Sequence, residues 1–261
     1  MKDYLALHLH DLPYFRALLR AVEARFYEGI SLPEPVLDLG CGDGHFASLT
    51  FDGPLFMGLD PWWGPIQEAA RRGSYRYLVC AAGDKMPYPA DYFASAISNS
   101  VLEHIPELDP VLAETARVLR PGAPFIFCVP NHRFLETLSI GRVMEKIGAS
   151  GLAKAYRDFF NRISRHFTCE SHEQWEARLE GFGFKIESWW DYFPPPALHV
   201  LEWGHFFGVP SWVSKRLFDR WVLAPSRWNL VLADRLTRPH YEGDPKSPLG
   251  AYTFYVTRLN H

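Results

Sequence analysis

Short apolar runs alternate with amphipathic segments along the first half of the chain. The runs are continuously apolar, which is the pattern of parallel strands that are covered on both faces. They occupy residues 36–39, 55–59, 75–80, 93–98 and 125–129. Amphipathic segments lie between them; in one of these, Asp109 and Pro110 begin a helix that Pro121 and Gly122 end. This βαβαβ order predicts an α/β fold with a doubly wound sheet.

An amphipathic helix is predicted ahead of this sheet. Asp11 and Pro13 mark its beginning, apolar residues recur at helical spacing from Phe15 to Phe26, and Gly29 ends it. We therefore expect residues 1–30 to form an N-terminal helical cap on the main fold.

The order of elements changes after Val129. Ser171 and Gln174 form a capping-box pattern that predicts a helix, and apolar runs predict a strand at 184–190 and a last strand at 251–259. We expect residues 31–261 to form one domain with helical and aromatic insertions at about 131–168 and 193–247. The second insertion is rich in proline and tryptophan.

Composition and charge narrow the class of protein. Hydrophobic residues make up 48 % and charged residues 22 % of the chain, which excludes a disordered chain and a coiled coil. The formal net charge is -3, so we expect no nucleic-acid partner. No apolar stretch approaches the length of a bilayer-spanning helix, so we expect no integral membrane contact.

The cysteines and the N-terminus indicate the compartment. Cys41, Cys80, Cys128 and Cys169 are far apart and form no C-x-x-C pair, so neither a disulfide framework nor a zinc site is predicted. Charged residues interrupt the N-terminus, which therefore lacks the apolar region of a secretory signal. We expect a cytoplasmic protein.

The segment PVLDLGCGDGHF at 35–46 carries the sharpest chemical signal. A buried strand contains Asp38, and Gly40, Gly42 and Gly44 then stand at alternate positions before a helix. Glycines at such positions let the backbone turn tightly and approach a ligand closely. A dinucleotide site would need the third glycine one residue later, and Asp38 would repel a pyrophosphate. The acid suits a ligand with a cationic group instead.

Two further acids follow the next two predicted strands. Asp60 ends the run LFMGLD, where a carboxylate can accept hydrogen bonds from both hydroxyls of a ribose. Asp84 follows the third strand in CAAGDKMPYP, where a carboxylate can accept a hydrogen bond from the exocyclic amine of an adenine. Taken alone, each acid is also typical of a turn.

Five motifs together resemble a known family. VLDLGCGDG, GLD, GDKMPYP, FASAISNSVLEHI and RVLRPGAPFIFCVPN are similar, in order and spacing, to the motifs of class I S-adenosylmethionine-dependent methyltransferases. The resemblance is to the small-molecule branch that includes enzymes of ubiquinone and menaquinone biosynthesis. It implies a Rossmann-like sheet of seven strands, with the last strand antiparallel and inserted beside the fifth. It also implies S-adenosylmethionine as the cofactor and S-adenosylhomocysteine as the product.

The resemblance also assigns residues to the cofactor. The glycine loop would hold the methionine end, Asp60 the ribose, and Asp84 with the backbone at Lys85 the adenine. Asn99 and Ser100 would border the cofactor and the methyl acceptor. The implied cofactor-binding residues are Asp38, Gly40, Cys41, Gly42, Gly44, Asp60, Pro61, Asp84, Lys85, Asn99 and Ser100.

The expected activity is in-line transfer of a methyl group to a small or medium apolar or amphipathic acceptor. The sulfonium activates the methyl group, so the protein must orient the acceptor and, for some acceptors, remove a proton. We hypothesise that His104 or His166 assists this deprotonation, because both fall in segments that border the acceptor side in the family. No cluster of metal ligands is apparent, so we expect no metal.

Two alternatives remain at this stage. One is a catalytically silent binding module that contacts a protein or a membrane through its Trp-rich insertion. The other is an NAD(P)-dependent oxidoreductase, which the glycine spacing disfavours. The insertion itself could form a lid, core packing, a dimer surface or a weak interfacial contact through Trp212, Leu217 and Trp221 beside basic residues. The oligomeric state stays open.

Overall fold

A computed structural model describes residues 2–218 and 220–260, without the side chains of Val209, Pro210, Trp212 and Arg227. The chain divides into two compact units. The first unit comprises residues up to Gly29, Arg133–Phe160 and Asp191–Ala251, and the second comprises Ile30–His132, Asn161–Trp190 and the residues from Tyr252 onward. None of the described helices combines the length and the apolarity needed to cross a membrane. The domain boundaries proposed from the sequence stay a prediction.

The second unit is built on a seven-stranded sheet with the strand order β3-β2-β1-β4-β5-β7-β6. Strands β1 to β5 pair in parallel with their neighbours, and β7 pairs antiparallel with β5. This confirms the doubly wound sheet and the antiparallel last strand beside the fifth. The strands are β1 (Val36–Leu39), β2 (Leu55–Asp60), β3 (Tyr75–Cys80), β4 (Ser95–Asn99), β5 (Pro124–Pro130), β6 (Phe184–Tyr192) and β7 (Tyr252–Leu259).

Twelve helices are formed by the described residues, with one 3-10 turn at Leu102–His104. They are α1 (Tyr4–Asp11), α2 (Tyr14–Phe26), α3 (His45–Thr50), α4 (Trp63–Arg72), α5 (Leu108–Val118), α6 (Arg133–Thr137), α7 (Ser139–Lys146), α8 (Ser150–Ser164), α9 (His172–Glu180), α10 (Pro195–Phe207), α11 (Val209–Phe218) and α12 (Arg227–Glu242).

The central strands are buried because helices cover both faces of the sheet. Every residue of β1 and β5 is buried, which explains why all of these residues except Asp38 are apolar. Phe127 of β5 packs on Trp175 of α9, with ring centroids 5.1 Å apart, and on Tyr255 of β7 at 5.0 Å. The predicted capping box that begins α9 is present and thereby fixes where Trp175 enters the core.

The N-terminal region corrects one prediction, because it contains two helices where the sequence predicts one. The side chain of Asp3 accepts a hydrogen bond from the Ala6 amide at 3.1 Å and caps α1, and an extended Leu12 separates α1 from α2. Helix α1 was missed because its eight residues are too few for a clear apolar periodicity. The proline-rich insertion is also largely helical, since it contains α10, α11 and α12.

A buried carboxylate organises one part of the first unit. Glu202 of α10 is fully buried and accepts hydrogen bonds from the amides of Ser139 at 2.6 Å and Ile140 at 3.1 Å. It also accepts one from the Tyr156 hydroxyl at 2.7 Å. These amides lie at the beginning of α7, where they have no partner within their own helix, so Glu202 both caps the helix and complements its dipole.

We expect Glu202→Ala to lower the free energy of unfolding by about 3 kcal/mol, because it leaves two amides and one hydroxyl, all partly buried, without this acceptor. Glu202→Gln keeps one acceptor oxygen and should cost clearly less. Urea denaturation followed by circular dichroism measures both losses. Equal losses for the two variants would show that the acceptor oxygens do not stabilise this part of the unit.

Candidate functional site

The glycine loop follows β1 and lies at the carboxyl edge of the parallel sheet. Gly40, Gly42 and Gly44 all have a positive φ, at 78°, 55° and 70°, which L-residues with a side chain rarely adopt. A Cβ at Gly40 would lie 2.3 Å from a methyl carbon of Val101, so the loop packs directly on the segment after β4. A Cβ at Gly42 would meet nothing within 4 Å, so the loop presents open space there.

Asp38 is a buried carboxylate within β1. Its Oδ2 accepts a hydrogen bond from the Tyr75 hydroxyl at 2.6 Å. Burial raises the pKa of Asp38 to about 7, the Tyr75 hydrogen bond lowers it in part, and the charge of Asp60 raises it further. No cation among the described residues influences this pKa. A ligand that carries a positive charge would supply the compensation that the protein does not.

Asp60 ends β2 and ties its own turn to the glycine loop. Its Oδ2 accepts a hydrogen bond from the Gly42 amide at 3.0 Å, and its Oδ1 accepts one from the Trp62 amide at 2.9 Å. Burial raises the pKa of Asp60, and these two hydrogen bonds lower it in part. Each carboxylate oxygen has a second lone pair, so both can still accept a hydrogen bond from a diol.

The other residues implied for the cofactor lie in the glycine loop and at or after the ends of β2, β3 and β4. Cys41 is buried in the glycine loop, and burial raises the pKa of its thiol. The carbonyl of Pro61 lies 3.5 Å from the sulfur of Cys80, the last residue of β3. Asp84 and Lys85 lie on an exposed turn four and five residues beyond that strand end. The sheet therefore brings Asp38 and Asp60 together, and the turn carries Asp84 beyond the same edge.

The end of β4 is strained. Ser100 has a φ of 51°, a left-handed conformation that costs of the order of 1 kcal/mol or more for a residue with a side chain. The Ser100 amide donates to the Cys128 carbonyl at 3.1 Å, and the Cys128 thiol donates to Oδ1 of Asn99 at 3.2 Å. These bonds to β5 hold Asn99 and Ser100 at the carboxyl edge of the sheet.

The two predicted histidines lie side by side. The rings of His104 and His166 have centroids 5.4 Å apart. Nδ1 of His104 lies 3.0 Å from the Arg165 carbonyl, and because a carbonyl only accepts, this nitrogen carries the proton. In the neutral ring, the lone pair that can accept a proton is then on Nε2. The amide of Phe167 donates to the Glu103 carbonyl at 2.7 Å and joins the two segments.

A buried acid accompanies the two histidines. Oε1 of Glu103 lies 3.9 Å from Nε2 of His104, and ligand atoms of Glu103, His104 and His166 all lie within 4.8 Å of one another. Among the described residues, these three form a group that could hold a metal ion. The sequence-based expectation that the protein uses no metal stays a prediction.

Sequence reasoning missed three contributors to this site. Tyr75, Glu103 and Cys128 contact predicted residues, but each looks like an ordinary strand or core residue in the sequence. Glu103 stands inside the motif SVLEHI, so its position next to His104 was the one available signal. The contacts of Tyr75 and Cys128 cross 37 and 29 residues of chain, and no local pattern encodes such contacts.

The chain is similar to known methyltransferases. Residues 37–127 match a family described as Methyltransferase domain. A fatty-acid O-methyltransferase of Mycolicibacterium smegmatis is 36 % identical over 105 residues, which are 38 % of this chain and 38 % of that protein. A trans-aconitate 2-methyltransferase of Mycobacterium tuberculosis is 26 % identical over 216 residues, covering 81 % of this chain and 75 % of that protein.

A solved structure supports the fold. A SAM-dependent methyltransferase from Thermotoga maritima superposes with a TM-score of 0.53 and 15 % identity, over 99 % of this chain and 93 % of that one. In sequence, the chain spans 38 %, 46 % and 50 % of the length of three of the curated relatives that it matches. The likeness to the solved structure shows the fold, and the sequence matches show a similarity to methyltransferases over part of the chain.

We expect Asp38→Asn to stabilise the ligand-free protein at about pH 8. The pKa of Asp38 is about 7 in the folded chain and ordinary in the unfolded chain. Its contribution to stability is therefore fully present below the unfolded pKa and is lost as the pH rises through about 7. The side-chain amide introduced by Asp38→Asn does not ionise, so the variant keeps this stability at high pH. Its oxygen can still accept the hydrogen bond from the Tyr75 hydroxyl.

Thermal unfolding at several pH values measures this effect as the difference between the midpoints of the variant and the parent. The matched control is Asp84→Asn, which removes the same charge from an exposed turn and should leave the midpoint nearly unchanged. A variant midpoint that falls at or below the parent's at every pH would contradict the account of Asp38 as a buried, uncompensated charge.

Proposed function

We propose that the chain is a class I S-adenosylmethionine-dependent methyltransferase that transfers a methyl group from S-adenosylmethionine to a small acceptor. The match over residues 37–127 bears out the resemblance seen in the motifs. S-adenosylhomocysteine is the expected product. The observation that carries the proposal is the pairing of the open glycine loop with two buried acids, Asp38 and Asp60, at the carboxyl edge of the sheet.

Asp38 suits the methionine end of the cofactor. Desolvation raises the pKa of this buried carboxylate, so a nearby positive charge stabilises its ionised form. The methionine end of the cofactor carries such a charge on its ammonium group. The open space at Gly42 lets the ligand approach the backbone of the loop closely. A pyrophosphate would place negative charge beside Asp38, so the same geometry argues against a nicotinamide dinucleotide.

Asp60 and the turn after β3 suit the nucleoside end. Both oxygens of Asp60 already accept hydrogen bonds from backbone amides. These bonds fix the plane of the carboxylate before the ribose binds. We assign the adenine to Asp84 and the backbone at Lys85, and we assign Asn99, Ser100 and Pro61 to the border of the cofactor. Bound S-adenosylmethionine supplies a methyl group that its sulfonium has already activated.

His104 and His166 are proposed to receive the proton of the acceptor. With Nδ1 of His104 donating to the Arg165 carbonyl, Nε2 can accept a proton, and the buried Glu103 carboxylate stabilises the resulting imidazolium. This role requires an acceptor that holds a proton at neutral pH, such as a phenol. A carboxylate acceptor needs no base, because it is already ionised.

The acceptor is proposed to be a small or medium apolar or amphipathic molecule, as in the branch that includes ubiquinone and menaquinone biosynthesis. The relatives named above act, by their names, on a fatty acid and on trans-aconitate, which are both small carboxylic acids. Among the described residues no disulfide joins the four cysteines, and this supports the proposal of a cytoplasmic location.

We expect S-adenosylhomocysteine to raise the thermal midpoint and NAD to leave it unchanged. At about 100 times the dissociation constant, a ligand stabilises by about 2.7 kcal/mol, or about 5 to 10 °C for a chain of this size. Asp60→Ala should remove most of the shift, because it removes the ribose acceptor and the anchor of Gly42. Differential scanning fluorimetry measures these shifts.

The control for this experiment is Glu180→Ala, which removes an exposed acid at the end of α9 and should keep the full shift. A shift with NAD, or an undiminished shift in Asp60→Ala, would refute the assignment. Absence of a shift with every ligand would favour the catalytically silent binding module.

We expect His104→Ala and His166→Ala to lower kcat about 100-fold with phenolic acceptors and to leave carboxylate acceptors unaffected. The assay follows the release of S-adenosylhomocysteine with a panel of phenols and fatty acids. Both variants should keep the thermal shift with S-adenosylhomocysteine, and the exposed His10→Ala serves as the matched control. Unchanged turnover of the preferred phenol in both variants would end the proposal for the histidine pair.

The same assay tests whether a metal is needed. Because the histidines are proposed to act as bases, we expect turnover to survive removal of divalent ions with EDTA. A loss of turnover that zinc or magnesium restores would instead identify Glu103, His104 and His166 as metal ligands.

A further inference from the structure

The first unit exposes many large apolar side chains in its C-terminal part. We call residues 209–242, which include α11 and α12, the α11–α12 segment. Soluble monomers rarely expose a large contiguous apolar surface unless it binds something. The exposed apolar residues of this segment include Val213, Leu217, Phe218, Leu223, Trp228 and Leu232.

Helix α12 has an apolar face that points away from its own unit. Trp228, Val231, Leu232 and Leu236 follow the spacing of one helix face, and Trp228 and Leu232 are 76 % and 79 % exposed. The opposite face carries Thr237 and Tyr241, which are buried; the Tyr241 hydroxyl accepts a hydrogen bond from the Tyr4 amide of α1. The helix is therefore anchored on one side and apolar on its exposed side.

A cavity lies between the parts of this segment. It measures about 270 Å³ and is lined by residues of α11, of the connection and of α12, together with the turn between α1 and α2. Leu223 lines the cavity and is also 54 % exposed, so the cavity adjoins the exposed apolar residues. A flexible hydrocarbon chain could enter such a space, whereas a flat protein surface could not.

The charge of the segment favours an anionic occupant. Residues 209–242 contain six basic residues and three acidic ones, although the whole chain has a net charge of -3. The basic residues are Lys215, Arg216, Arg220, Arg227, Arg235 and Arg238, of which Arg238 is already paired with Asp3 and Asp234. Arg216 and Arg235 are exposed, and Arg235 lies on α12 next to Leu232 and Leu236. Apolar side chains beside basic ones match the acyl chains and negative head groups of an anionic bilayer.

A second copy of the chain is a poorer occupant. A symmetric dimer through this segment would bring the same surface of both copies together. The basic residues would then face their own counterparts, and like charges repel across an interface. An anionic bilayer has no such conflict.

We propose that the α11–α12 segment binds the surface of an anionic membrane, with its apolar residues in the interface and its basic residues at the head groups. The binding is peripheral and reversible, because one short apolar face and a few charges supply it. It is independent of methyl transfer, so a failure of this proposal leaves the proposed function untouched.

Co-sedimentation of the full chain with vesicles tests the proposal. One set of vesicles is phosphatidylcholine alone and the other contains about one third phosphatidylglycerol. We expect affinity for the anionic vesicles to be at least about tenfold higher and to fall when salt rises from about 0.1 M to 0.5 M. The double variant Trp228→Ser with Leu232→Ser should weaken binding at least about tenfold, since both side chains leave water on binding.

Variants that remove one positive charge measure the electrostatic contribution to vesicle binding. Arg216→Gln and Arg235→Gln should each weaken binding to anionic vesicles about fivefold. The matched controls are Leu249→Ser, an exposed leucine outside the segment, and Arg71→Gln, an exposed arginine of the second unit; both should bind as the parent does. All substitutions are at exposed side chains, and an unchanged thermal midpoint verifies the fold.

Three results would overturn the proposal. Equal binding to neutral and anionic vesicles would remove the role of the basic residues. Anionic binding that the segment variants leave unchanged would place the contact elsewhere on the chain. Absence of vesicle binding, with a dimer in sedimentation velocity that the Trp228 and Leu232 substitutions dissociate, would identify a second copy as the occupant.

Discussion

The site depends on a carboxylate that is buried and has no cation beside it in the part of the chain that the structure describes. Asp38 is held inside a parallel strand, and desolvation raises its pKa to about 7 even though the Tyr75 hydroxyl donates to it. An ionised acid there destabilises the free protein, and a ligand with a positive charge relieves that cost when it binds. The ionised carboxylate therefore lowers the stability of the free protein, and removal of this cost contributes to the free energy of ligand binding. Such a site is a common reason why stability and function conflict.

The parallel sheet makes this arrangement possible. Adjacent parallel strands end at the same edge, so acids far apart in the chain meet there with a glycine loop and the strained turn at Ser100. Asp60 connects the parts, because its two oxygens hold the amides of Gly42 and Trp62. The side chain that binds the ribose in our proposal therefore also fixes the loop that binds the methionine end.

Local patterns in the sequence predicted the parts of this structure that local physics determines. Continuous apolar runs identified the strands, and the alternate glycines identified the loop because its backbone needs positive φ. The pattern did not reveal α1, whose short length hides its periodicity, or the bounds of the individual helices in the proline-rich insertion. The Tyr75–Asp38 bond and the contact of His104 with His166 arise only when distant segments meet. Those contacts bring the candidate residues together in one site.

Calorimetric titration of S-adenosylhomocysteine at about pH 6 and pH 8 tests the central claim most directly. The ammonium group of the ligand is charged at both pH values, whereas Asp38, with a pKa of about 7, is mostly protonated at the lower one. The account predicts binding about tenfold tighter at the higher pH, with a proton released at the lower pH. Affinity that is independent of pH, or tighter at the lower pH, would contradict it.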